Sequence, residues 1–134
     1  MIKVDYLLIA EDVRVDNRNR TSIINVAERL DVPSVPVNLQ NVKVTARIHP
    51  EGKPIVDQTT DIKFLLSLGS EEIFKIEMQP KLTIELGKGW ATVMNIDNLV
   101  FPKFGDYKFS LYINDKKYQD ALFTVRNVAE LSEP

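Results

Sequence analysis

His49 is the single histidine in the 134 residues, and acid–base or nucleophilic chemistry would have to begin with it. A catalytic histidine needs an acidic group to orient it and a nucleophile within reach. Its neighbourhood offers Glu51 but no serine within a few residues, and His49 falls on the polar parity of its strand just before Pro50. It therefore reads as a solvent-facing loop residue. A Ser-His-acid triad would have to be assembled from residues distant in sequence, which that chemistry permits.

Oxygen-rich segments are the second candidates, because calcium takes several carboxylate and carbonyl ligands. The densest are Glu11-Asp12 with Asp16-Asn17-Asn19, and Asp97-Asn98 with Asp106. A calcium loop of the EF-hand kind starting at Asp16 would put Arg18 and Arg20 at ligand positions, so that spacing fails. End loops of a β-sandwich can bind calcium, as in C2-like domains, but Asp and Asn are also the residues that turns use. No metal site and no cofactor is assigned. Glycoside hydrolysis needs two carboxylates roughly 5 to 9 Å apart across a cleft. Glu71-Glu72 and Glu11-Asp12 are adjacent pairs, and adjacent residues on a strand point to opposite faces. No catalytic residue is assigned either, and the expectation is a protein that is not an enzyme.

Aromatic side chains are the third candidates, because exposed rings stack on sugars or anchor protein contacts. Trp90 follows Gly87-Lys88-Gly89, while Tyr112 and Tyr118 sit off or near the edge of the apolar parity of a C-terminal hairpin. Trp90 also shares its parity with Thr92, Met94 and Ile96, which favours the core for it. Trp90, Tyr112 and Tyr118 are the binding residues to look for in the structure.

Composition sets the frame in which such residues must be held. At this length one domain, 1–134, removes roughly two-thirds of its unfolded surface from water and needs no staple. Cysteine is absent, which rules out disulfides, a thiolate nucleophile and a cysteine-ligated metal and fits a reducing cytoplasm. Seventeen Lys and Arg stand against nineteen Asp and Glu, a formal charge of −2. They are interspersed, so nucleic acid is not an expected partner. Lys116-Lys117 and the arginines Arg14, Arg18 and Arg20 sit in turns, where solvated charge is ordinary. The first apolar run, Tyr6 to Ala10, is too short for a signal peptide or a membrane span. A cytoplasmic protein without membrane contact is expected.

The elements follow from period-two alternation. Ile2 to Val15 opens with Ile2, Val4, Tyr6 and Leu8 on one parity, and residues 16–20 break it as a hairpin turn before a second arm, Thr21 to Leu30. Asp31-Val32-Pro33-Ser34-Val35-Pro36 removes two backbone donors and predicts an extended crossing between sheets. Val42, Val44, Ala46 and Ile48 form one face of the next strand. Further strands are predicted around Ile62–Leu68, Phe74–Met78, Leu82–Leu86 and Trp90–Asp97. Tyr107, Phe109, Leu111 and Ile113 then alternate up to a turn at 114–117, and Ala121, Phe123 and Val125 alternate on the return. Only Val128 to Leu131 could hold a turn of helix, and Ser132-Glu133-Pro134 is expected to fray. Eight or nine short strands with turns about every ten residues predict an all-β, immunoglobulin-like antiparallel sandwich. Tyr107 follows a Gly-Asp turn two residues before Phe109, the place of the tyrosine corner in such sandwiches.

The landmarks VDYLLIAEDVRVDN, SIINVAERL, VPSVP and FPKFGDYKFSLYIND, with a closing TV strand, together resemble a family of small bacterial and phage-associated proteins known as a domain of unknown function. The resemblance spans nearly the whole chain. It implies a compact immunoglobulin-like fold and carries over no catalytic residue, cofactor or substrate. The expectation is a module that binds another protein or its own copies. The alternative is a small-ligand or carbohydrate module, with calcium as a possible aid.

Overall fold

Strict alternation along most of the chain becomes eleven strands and one helical turn in the computed structural model, which describes residues 2–15, 18 and 20–131. In order these are β1 (Ile2–Val15), β2 (Thr21–Val26), β3 (Arg29–Val32), β4 (Val37–Pro50), β5 (Ile55–Thr59), β6 (Ile62–Leu68), β7 (Glu71–Met78), β8 (Lys81–Ile84), β9 (Trp90–Phe101), β10 (Gly105–Ile113), β11 (Lys116–Asn127) and α1 (Val128–Leu131). Sheet order is β2-β1-β4-β9 in one layer and β3-β11-β10-β6-β7 in the other, with β5-β8 as a small separate pair. Every pairing is antiparallel except that of β3 with β11. This is an all-β sandwich of two mainly antiparallel sheets.

The core lies between the two inner faces, which is what period-two burial requires. Val44, Ala46 and Ile48 of β4 meet Phe64 and Leu66 of β6, Phe109 and Leu111 of β10, and Phe123 and Val125 of β11, all essentially inaccessible. Phe101 of β9 joins the layers: its ring stacks on Phe123 at 5.1 Å and meets Tyr107 edge-on at 5.0 Å. The tyrosine corner is present. Tyr107 donates its hydroxyl hydrogen to the Lys103 carbonyl at 2.6 Å and accepts from the Lys103 amide at 3.1 Å.

Three expectations change. The parity of β1 reverses at a bulge between Val4 and Tyr6, so Leu7 and Ile9, not Tyr6 and Leu8, continue the buried face begun by Ile2 and Val4. The second arm does not run from Thr21 to Leu30. It breaks after Val26, where the Ala27 amide bonds to the Ile9 carbonyl at 2.7 Å and the Glu28 carbonyl accepts from the Thr124 amide at 3.0 Å. The chain thereby steps into the other sheet as β3, and the proline segment 33–36 carries it back. Finally, eleven strands replace eight or nine because the second arm is divided and because β5 has a single buried side chain, Ile55, that gives no alternation to read. The expected turn at residues 16, 17 and 19 and the expected fraying end at 132–134 lie outside the described residues.

Candidate functional site

The bulge in β1 turns Asp5 toward β4 and builds the one cluster around His49. His49 Nδ1 lies 2.8 Å from Asp5 Oδ1, and Arg47 Nη1 lies 2.6 Å from Asp5 Oδ2. Asp5 is therefore the acidic partner, whereas Glu51 pairs with Lys3 at 3.6 Å. No hydroxyl among the described residues hydrogen-bonds to His49. The trio can clamp β1 to β4 and orient the imidazole, but it presents no nucleophile beside it. Nothing local in the sequence signals Asp5, since a bulge and a cross-strand register decide it.

The acidic segments are dispersed. Glu11 accepts from the Asn25 amide, and the Arg14 guanidinium beside Asp12 holds that carboxyl below the usual carboxylate range. Asp97 on β9 accepts from Asn95, and Asp106 on β10, in the opposite sheet, accepts from the Thr124 hydroxyl at 2.8 Å. Among the described residues no three His, Asp or Glu side chains gather as metal ligands would.

The three aromatic candidates do not share a surface. Trp90 opens β9, half-buried and packed on the core. Tyr112 and Tyr118 belong to the other sheet but face opposite ways, because a bulge between Leu111 and Tyr112 turns Tyr118 toward the core. Lys63 Nζ lies 4.7 Å from the Tyr112 ring centroid and Lys116 Nζ 5.3 Å from that of Tyr118, so each ring already carries a cation. Beside them Asp120 accepts from the buried Ser110 hydroxyl at 2.6 Å and pairs with Lys117 at 2.8 Å.

The feature that sequence reading missed is an open seam on one side of the sandwich. β2 pairs with β1 only from Ala10 onward, and β3 pairs with β11 only from Thr124 onward. Among the described residues, 2–8 of β1 and 116–123 of β11 consequently have a strand on one side and none on the other. Between these two free edges lies a groove of about 480 Å³ lined by Leu7, Leu8, Ile9, Val26, Ala27, Glu28, Ala121, Leu122 and Thr124. Val26 is 46% exposed and Leu122 60%. A break in β2 at Ala27 was the only available signal, and its apolar residues concealed it.

No curated protein matches the chain in sequence. Among solved structures it is similar to an immunoglobulin-like protein from Pseudomonas aeruginosa, with 16% identity and a TM-score of 0.45 over 94% of this chain and 97% of that one. Residues 5–126 match the family of unknown function DUF6941, and with most of its length inside that match the chain belongs to that family.

Proposed function

We propose that the protein is a non-enzymatic interaction module that receives an extended segment of another protein along the seam between β1 and β11. One observation carries this: two free strand edges flank an apolar groove at whose rim Leu122 and Val26 stand exposed. Unpaired edge amides and carbonyls are the template for strand addition, in which main-chain hydrogen bonds give affinity and alternate side chains fill the groove. An incoming segment would continue the course of β3 along β11, where β3 itself stops short. His49, held by Asp5 with no nucleophile beside it, and the separated aromatics offer no comparable construction for catalysis or for sugar stacking.

A photo-cross-linking side chain at position 122 tests this in the cells that make the protein. A discrete adduct is expected from 122 and not from position 75, on β7 at the far edge of the same sheet. The adduct should also vanish when Val26 is replaced by aspartate. Equal adducts from both positions, or none from 122, would overturn the seam as the binding surface.

A further inference from the structure

The opposite side of the four-stranded sheet carries a second open edge, independent of the seam. β9 pairs with β4 along its whole length, and no strand among the described residues lies on its other side. Exposed edges are ordinarily guarded by charge, proline or bulges. β7, at the edge of the other sheet, follows that practice with Glu71, Glu72, Lys75 and Glu77 in eight residues. β9 has twelve residues, WATVMNIDNLVF, with one charge, Asp97, and no proline.

We infer that two copies of this chain join through β9, antiparallel and related by a two-fold axis at Val93, to make one continuous eight-stranded sheet. The side chains choose this register. Like charges directly opposite each other are destabilising, which disfavours an axis at Asp97. Both Asp97 and Asn98 are exposed, so the in-out alternation reverses there and a regular pairing must lie N-terminal of Asn98. With Val93 on the axis, Asp97 faces Gly89 of the second copy. The Arg47 guanidinium covers Gly89 so closely that a Cβ at that position would overlap it. Among the described residues Asp97 has no cation beside it, only the Asn95 amide at 3.1 Å. Asp5 already holds the Arg47 guanidinium through Nη1, and the pairing sets Asp97 against the part of the same group that overlies Gly89, by symmetry twice.

The remaining pairs agree. The exposed Val93 meets its own copy, and Asn95 meets Ala91, a short side chain against a polar one. On the inner face Trp90 opposes Ile96 and Met94 opposes Thr92, so Trp90 and Met94, both half-buried, gain cover. An isologous contact of this kind is self-complementary and closes at two copies.

Because the chain has no cysteine, single cysteines read the register directly. Val93→Cys should oxidise rapidly to a covalent dimer. Ala91→Cys and Asn95→Cys should each cross-link poorly alone and efficiently when mixed, because those two positions face each other only across this axis. Without oxidant, light scattering of the unmodified chain from about 10 to about 500 µM should show growth from 15.3 kDa toward twice that mass. Val93→Lys, with circular dichroism unchanged, should abolish that growth. A monomer throughout that range, or Val93→Cys oxidising no faster than Lys75→Cys, would overturn the proposal. Neither result bears on the seam, whose adducts are read separately.

Discussion

The hydroxyl of Tyr107 exchanges two hydrogen bonds with the backbone of Lys103, four residues earlier, and the ring is wholly buried. Replacing it by phenylalanine keeps the packing and strands those backbone groups. The expected loss is about 1–3 kcal/mol, read as a lower urea midpoint with an unchanged slope. Asp120 makes a pH prediction. Partial burial pushes its carboxyl up, but the bonds from Lys117 and Ser110 together outweigh that and hold it below the usual carboxylate range. A folded-state value below the unfolded one favours folding at any pH above the unfolded carboxylate's own titration, about 3.9, and the benefit is lost as pH falls further. The stability gap between the natural chain and Asp120→Asn should therefore be constant near neutrality and close in acid titrations below that range. The tyrosine corner was legible because a Gly-Asp turn, a tyrosine and a phenylalanine two residues on define it locally. The Asp5 clamp was not, because three residues from two strands meet only through a bulge.

At the scale of the element, the β10–β11 hairpin shows how register is pinned. Asn114 and Asp115 both have positive φ, 50° and 65°, the pairing that a two-residue turn needs to match the twist of its strands. Asn114 also ties the tip to the start of β6. Its amide donates to the Asp61 carbonyl at 2.8 Å and its side-chain oxygen accepts from the Asp61 amide at 3.0 Å. Asn114→Ala should cost about 1–2 kcal/mol in denaturant unfolding, from left-handed strain and a lost bond. Asp115→Gly should be neutral or raise stability, since glycine adopts that conformation freely. β10 and residues 42–48 of β4 could be read from sequence because apolar and polar residues alternate there, whereas the parity of β4 reverses at Asn41, whose φ is 58°. The division of β2 from β3 could not, because Ile23, Val26 and Leu30 continue an apolar run across the step and only the partners of Ala27 and Glu28 reveal it.

Across the whole molecule the two layers are joined by one aromatic group, with Phe101 from one sheet between Tyr107 and Phe123 from the other. Phe123→Ala removes a ring with essentially no exposure and should cost about 3–5 kcal/mol. That is a large fraction of a typical total of about 5–15 kcal/mol. Loss monitored by Trp90 emission and by far-ultraviolet circular dichroism should coincide, as one cooperative unit requires. The parallel pairing of β3 with β11 bears on the order of folding. It joins residues 29–32 to residues 124–127, so nearly the entire intervening chain must be gathered before that contact forms. Closing so long a loop is entropically costly and comes slowly in β topologies. During synthesis β3 must wait for almost everything that follows it, with its edge unmet until the last strand has left the ribosome. In pulse-labelled hydrogen exchange the β3 amides should gain protection after those of the β10–β11 hairpin, whose partners are neighbours in sequence.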